Sequence, residues 1–118
     1  MNMYRDLEVW RESVDLIKVV YKLADSLPKS EEFNLKQQLK RAVVSVTLNI
    51  SEGKCRRTSK DFANFLTIAV ASLSEVDAIL AICEELKYLK LSDEIGKMIE
   101  VLGKRINSLR NKLQRSIE

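Results

Sequence analysis

The chain has 118 residues, a length typical of one domain with its own hydrophobic core, and we treat residues 1–118 as that domain. It contains 3 Gly and 1 Pro among many Leu, Ile, Val, Lys and Glu residues, which favours long helices over short strands. Histidine is absent, which removes the commonest general base and imidazole metal ligand. We therefore expect no metal and no cofactor.

The two cysteines and the charge pattern indicate the cellular compartment of the protein. Cys55 and Cys83 lack the paired spacing of a zinc site and suit a reducing cytoplasm. Cys55 stands beside three basic residues that would favour its thiolate, so a reactive thiol and an incidental one both remain open. The longest uncharged stretch, Phe62 to Ser74, is too short to span a bilayer. The sequence therefore predicts a cytoplasmic protein without a membrane partner.

The first helix is predicted from about Leu7 to Leu27, with Asp6 as its N-cap. Two neighbouring apolar stripes run along it and together cover nearly half of its circumference. A single bundle core needs only a stripe of roughly 100°. The extra apolar width suggests a second packing surface and hence self-association. Extensive core packing within one chain would also explain it.

The second helix is predicted from Leu35 to Glu52, with Gly53 as its terminator. Its apolar face alternates with a polar stripe at helical spacing. The members of that stripe are Arg41, Ser45, Asn49 and Glu52.

Two more helices complete the predicted fold. Thr58 and Asp61 resemble a capping box, which places the start of the third helix near Ser59 and its end near Leu89. Ser92 is predicted to cap the fourth helix. Short connections between long amphipathic helices imply antiparallel neighbours. The sequence therefore predicts an all-α, antiparallel up-and-down four-helix bundle.

Positive charge is concentrated between residues 36 and 60, where Glu52 is the one acidic residue. Such a segment either binds a polyanion or pairs with neighbouring acidic helices. The candidate nucleic-acid contacts are Lys54, Arg56, Arg57, Lys60, Lys36 and Lys40. A solvated basic loop without a ligand is the alternative.

A long motif in the middle of the chain resembles a known bacterial family. Its segments are Arg41-Ala42-Val43-Val44-Ser45-Val46, Asn49-Ile50-Ser51-Glu52-Gly53, Arg57, Ser59, Asp61-Phe62 and Phe65-Leu66. With the opening Tyr4-Arg5-Asp6-Leu7-Glu8-Val9-Trp10, they are similar to the four-helix-bundle family named for proteins encoded in intervening sequences of large-subunit rRNA genes.

This resemblance implies an up-and-down bundle that assembles into a pentameric barrel. Related bundles are accessory factors of the reverse transcriptases of retroelements, so RNA, DNA and a nucleic-acid enzyme are the implied partners. The sequence departs from the family pattern at Thr47, where proline is common, and at Ser51, where alanine is common. Without proline, the predicted kink in the second helix is softer.

Catalysis is not expected, because no activated nucleophile, base or phosphate-binding loop is recognisable. We interpret Arg41, Ser45, Asn49, Glu52 and Glu75 as a partly buried polar network or subunit contact. Arg41 and Glu52 are three turns apart, so Arg41 is expected to meet Glu75 or another subunit. The sequence predicts a non-enzymatic homo-oligomer that binds nucleic acid or assists a nucleic-acid enzyme. The alternative is a structural or protein-interaction scaffold without nucleic-acid binding.

Overall fold

The computed structural model describes residues 3–117, which form four α-helices, two short 3-10 turns and no strand. The helices are α1 (Glu8–Asp25), α2 (Leu35–Lys54), α3 (Ser59–Glu85) and α4 (Asp93–Ile117). The all-α, four-helix prediction is confirmed for these residues. Two of the helices are shorter than predicted, since α1 ends at Asp25 and α3 at Glu85.

One hydrophobic core holds the helices together. Each helix packs against the next along the chain, and α1 also contacts α4. All four helices contribute side chains that are fully buried, because their apolar residues recur at helical spacing. The largest of these are Leu16, Leu39, Ile50, Leu66, Leu80, Leu102 and Ile106.

Two of the three predicted N-caps are present. The Thr58 side chain accepts a hydrogen bond from the Asp61 amide at 3.0 Å, and α3 begins at Ser59 as predicted. The Ser92 hydroxyl accepts a bond from the Ile95 amide at 3.3 Å. The prediction for Asp6 is wrong: it ends a 3-10 turn, and Leu7 occupies the N-cap position of α1 without a side-chain bond.

Gly53 does not terminate α2, which continues to Lys54. Its φ angle is not positive, so Gly53 does not adopt the left-handed conformation in which glycine commonly ends a helix. It lies instead where α2 meets α3. An ideal Cβ at Gly53 would be 2.8 Å from the Phe65 Cβ and 2.9 Å from a ring carbon of Phe62. A glycine is needed here for close helix packing, not for a helix end.

The third helix, α3, is unusually apolar in composition. By length and composition alone, α3 is the one helix within residues 3–117 that is long and apolar enough to cross a membrane. The core helix of a soluble protein passes the same test, but here only 33% of the most apolar window is buried. Most of the apolar residues of α3 are buried or half-buried, but Ile68 and Ile82 are about half exposed.

Candidate functional site

The α2–α3 connection carries four basic side chains, which we call the cationic corner: Lys54, Arg56, Arg57 and Lys60. Lys54 is the last residue of α2, and Lys60 lies in the first turn of α3. Arg56, Arg57 and Lys60 are exposed. The short connection thus concentrates positive charge at the N-terminus of α3, where unpaired amides and the helix dipole also favour anions.

Aromatic side chains near the start of α3 hold two members of this corner. The Arg56 guanidinium lies 4.8 Å from the centre of the Phe65 ring and also pairs with Glu52 one turn earlier. The Lys54 ammonium lies 5.9 Å from the centre of the Phe62 ring. Such cation–π contacts restrict side-chain motion. Phe62 and Phe65 therefore anchor the corner as well as the α2–α3 contact.

Arg57 and Lys60 make no ion pair with any residue between 3 and 117. Both side chains are exposed, so their charges face water without an acidic neighbour in contact. They are the two members of the cationic corner most accessible to an external anion.

Lys36 and Lys40 are engaged at the other end of α2. The Lys40 ammonium lies 2.8 Å from the Asp25 carboxylate and 4.7 Å from the centre of the Tyr21 ring. Lys36 lies 3.4 Å from Asp25 and 3.0 Å from Glu32. Lys54 comes fourteen positions after Lys40 on α2, about 21 Å farther along the helix. Within the chain, these two lysines link α2 to α1 and to the α1–α2 connection.

These ion pairs perturb the Asp25 carboxyl. Its hydrogen bond with Lys40, helped by the charges of Lys40 and Lys36, holds the pKa of Asp25 below its ordinary value of 3.8. The Lys36 ammonium has a raised pKa, chiefly because of its hydrogen bond with Glu32. Both pKa shifts favour the charged forms of these side chains, so the contact of Asp25 with Lys40 and Lys36 is electrostatic in the folded chain.

The predicted polar stripe divides into a bonded part and an exposed part. The hydroxyls of Ser45 and Ser72 lie 2.9 Å apart across the α2–α3 contact, and the Asn49 amide donates to Ser45. Arg41 and Glu75 are exposed and make no ion pair within residues 3–117. Glu52 pairs with Arg56, four residues away. Hydrogen bonds thus join the three uncharged side chains Ser45, Asn49 and Ser72. The charged groups of Arg41 and Glu75 take no part in these bonds.

Sequence reasoning missed a ring of hydrogen bonds between α1 and α2. The Trp10 indole donates to the Ser51 hydroxyl at 2.7 Å, and Ser51 donates to the Thr47 carbonyl at 3.0 Å. The Thr47 hydroxyl donates to Ser13 at 2.8 Å, and Ser13 donates to the Trp10 carbonyl at 2.6 Å. The Ser13–Thr47 bond is buried.

Thr47 and Ser51, the members of this ring on α2, are the two positions at which the resemblance described above led us to expect proline and alanine. Their hydroxyls have partners on α1, and α2 runs through Thr47 without interruption. The signal in the sequence that points to the ring is the combination of Ser13 on the apolar side of α1 with hydroxyl residues four apart on α2.

The two thiols have different surroundings. Cys55 is exposed at the end of α2, whereas Cys83 is buried in the core. Burial raises the pKa of the Cys83 thiol, so it is expected to behave as a small apolar side chain.

These features define a four-helix, all-α domain that presents a cationic connection and two exposed isoleucines on α3. The chain belongs to the 23S rRNA-intervening sequence protein family, whose model matches residues 5–108. The resemblance found in the central motif is thereby confirmed.

A solved structure with a similar fold is the crystal structure of a protein of unknown function from the S23 ribosomal protein family of Bacteroides thetaiotaomicron. The match has a TM-score of 0.70 and 22% identity, and it covers 89% of this chain and 93% of that one. At this identity the likeness shows the fold alone. No curated protein matches the chain.

Proposed function

We propose that the protein is a non-enzymatic, cytoplasmic homo-oligomer of antiparallel four-helix bundles that binds RNA or DNA electrostatically. It would do so by itself or as the accessory factor of a nucleic-acid enzyme such as a reverse transcriptase. The observation that carries the proposal is the cationic corner, in which Arg57 and Lys60 are exposed and unpaired within residues 3–117.

The corner suits a phosphate backbone better than a base edge. Lys54 and Arg56 lie over the rings of Phe62 and Phe65, so each ring already has a cation on it, and Phe62 is also part of the core. The two rings are therefore not free to stack on bases, which sequence-specific recognition of single strands requires. Charge attraction by the four basic residues remains, and it is independent of nucleotide sequence.

Self-association supports the same function because it places several copies of the cationic corner in one assembly. In the pentamer implied by the family resemblance, five copies of the corner would form a cationic rim. Each phosphate that the rim neutralises adds a salt-dependent increment to the binding constant. The exposed isoleucines of α3, Ile68 and Ile82, support such an assembly, since exposed apolar side chains on a domain can mark interaction sites.

The absence of catalysis is also part of the proposal. The Ser45 hydroxyl on the polar stripe bonds to Ser72 and Asn49. Neither partner is a base that would activate it. This arrangement supports a structural role for Ser45.

Fluorescence anisotropy with labelled RNA and DNA at two salt concentrations tests the proposal. Arg57→Ala with Lys60→Ala should weaken binding and reduce the salt slope by about 1 for each lost phosphate contact. The matched control is Lys22→Ala with Lys97→Ala, which removes the same charge from exposed positions on α1 and α4. Equal weakening in both variants, or no binding of the native protein at low salt, would refute the cationic corner as the site.

A structural or protein-interaction scaffold is the rival function. In that case the charges of the corner would serve solubility and subunit pairing. Purification of the native protein from its source cells distinguishes the two. One stoichiometric protein partner without nucleic acid supports the scaffold, whereas nuclease-sensitive RNA or DNA supports the proposal.

A further inference from the structure

Two glycines of α4 are required neither by the backbone nor by close packing. Gly96 and Gly103 are seven positions apart, so they lie on one face of the helix. Neither has a positive φ angle. Nothing lies within 4 Å of a Cβ added at Gly96, and the atom nearest to one added at Gly103 is Leu73 Cδ2, at an ordinary contact distance of 3.4 Å. Both positions therefore keep a residue that is less favourable than alanine inside a helix.

The two glycines leave open a cleft of about 470 Å³ between α3 and α4, which we call the α3–α4 cleft. This volume is within the range of small-molecule sites. Leu73 and Ile99, which belong to the hydrophobic core, line the cleft, and the partly buried Val70 extends its apolar surface. The space therefore suits a slim ligand with an apolar body.

Two carboxylates line the α3–α4 cleft from opposite helices. Asp77 on α3 makes no ion pair within the described part of the chain, residues 3–117. Glu100 on α4 pairs with Lys104 at 3.0 Å, and both side chains of this pair are well exposed, so the pair contributes little stability and can open. A cation that enters the cleft would therefore meet two negative charges.

The Asn107 amide provides an independent observation at the same cleft. Its oxygen is shielded from water and has no hydrogen-bond partner among residues 3–117. Buried polar atoms are nearly always bonded, because an unsatisfied one is costly. Asn107 comes seven positions after Glu100 on α4, about 10 Å farther along the helix. A hydrogen-bond donor at that distance from the carboxylates would satisfy the amide oxygen.

We propose that the α3–α4 cleft binds a linear aliphatic amine that carries a second hydrogen-bond donor at its other end. The ammonium lies between Asp77 and Glu100, with Gly96 leaving room for it. The aliphatic chain passes over Leu73 and Gly103, and the second donor bonds to the Asn107 oxygen. Diamines and amino alcohols with a hexyl chain share this chemistry. A carboxylic acid of the same length fits less well, because Asp77 and Glu100 repel its negative charge.

Titration calorimetry with four probes of equal chain length tests the proposal. The native protein is first freed of nucleic acid, because amines also bind phosphates. Hexamethylenediamine and aminohexanol should bind about tenfold more tightly than hexylamine, which lacks the second donor. Hexanoate, which lacks the ammonium, should not bind. No binding of either two-ended amine, or binding of hexanoate equal to that of hexylamine, would overturn the inference.

Two substitutions test the ammonium end, and each has a matched control. Asp77→Asn should weaken hexamethylenediamine binding by about tenfold, whereas Asp15→Asn removes the same charge from an exposed position on α1 and should not. Gly96→Leu should block the cleft, and Asn111→Leu adds a leucine at an exposed position on α4 outside it. Gly96→Leu should fold as the native protein does in urea unfolding, since its added side chain starts in open space. Equal weakening in a variant and its control would show non-specific attraction and overturn the inference.

Asn107→Ala tests the other end of the cleft. The preference for hexamethylenediamine and aminohexanol over hexylamine should disappear in this variant, while hexylamine binds as before. The alternative partner for the Asn107 oxygen is Arg110, whose Nε is also buried and unpartnered within residues 3–117 and lies one turn farther along α4. A preference that survives in Asn107→Ala would favour that alternative and overturn the placement of the second donor. Amine binding and nucleic-acid binding are measured separately, so either can fail without the other.

Discussion

Gly53 brings the backbone of α2 against two aromatic residues of α3. Elsewhere in a helix, glycine is less favourable than alanine by about 1 kcal/mol. At Gly53 the added methyl group would meet the Phe65 Cβ at 2.8 Å and the Phe62 carbonyl at 3.3 Å. Relief of those contacts requires the two helices to separate, which would also disturb the aromatic rings under Lys54 and Arg56.

We expect Gly53→Ala to destabilise the protein by about 1–3 kcal/mol, because the overpacking outweighs the gain in helix propensity. Gly96 in α4 is the matched control, since nothing lies within 4 Å of the position that a methyl group would take there. Gly96→Ala should stabilise by roughly 0.5–1 kcal/mol. Urea unfolding of both variants provides the measurement. A Gly53→Ala protein as stable as the native one would show that the helices are not held at this distance.

At the scale of the element, α1 and α2 are joined by polar groups as well as by the core. Ser13 and Thr47 are the buried members of the hydrogen-bond ring. Ser13→Ala should cost about 1–3 kcal/mol, because it leaves the Thr47 hydroxyl buried without its acceptor. Adding Thr47→Val should cost little more, since it removes the unsatisfied group.

The measurement for this pair is a double-mutant cycle by chemical denaturation. A coupling free energy of about 0.5–3 kcal/mol between the two substitutions is expected for groups in direct contact. Additive effects of Ser13→Ala and Thr47→Val would mean that the two hydroxyls do not bond in solution.

The link of Asp25 with Lys40 and Lys36 predicts a pH dependence. Because the folded pKa of Asp25 is below its ordinary value of 3.8, its contribution to stability is present above that pH and is lost as the pH falls through the folded pKa. Asp25→Asn should therefore lower stability at neutral pH and flatten the fall in stability below about pH 4. Thermal unfolding across the acid and neutral range measures this. If the stability of Asp25→Asn fell in acid as steeply as that of the native protein, the ion pairs of Asp25 with Lys40 and Lys36 would not contribute to stability.

At the scale of the whole molecule, assembly and nucleic-acid affinity should be coupled. Several cationic corners on one assembly bind one strand with an effective concentration that a monomer lacks. Ile68→Ser with Ile82→Ser should abolish assembly and leave the helix content unchanged, because both side chains are about half exposed.

We expect this variant to bind RNA or DNA about 100-fold more weakly than the native protein, although every residue of the corner is retained. Phe33→Ser is the matched control, since Phe33 is 84% exposed in the α1–α2 connection. Light scattering and anisotropy on the same samples give the two quantities. A monomeric variant that binds as tightly as the native protein would separate the corner's function from assembly.

The four helices and two of their caps were predictable, because Thr58 and Ser92 precede long amphipathic segments and local chemistry decides where such helices begin. The error at Asp6 also has a local cause. The chain forms a 3-10 turn there, and Leu7 then takes the cap position. Sequence spacing does not distinguish a cap from the end of such a turn.

Side-chain partners were harder to predict than helices. The basic residues between 36 and 60 form one run in the sequence, but the fold pairs Lys36 and Lys40 with Asp25 and leaves Arg57 and Lys60 free of ion pairs within residues 3–117. Asp25 belongs to another helix, so this division depends on how α1 packs on α2. Helical periodicity contains no such information.

The sequence by itself determined an all-α chain of four helices and its family, because composition, periodicity and a long mixed motif are properties of the chain alone. The tertiary structure decided the role of Gly53, the ring that joins Trp10, Ser13, Thr47 and Ser51, and the exposure of Arg41 and Glu75. Each of these depends on which residues of different helices come within a few ångströms, and packing of the whole core sets those distances.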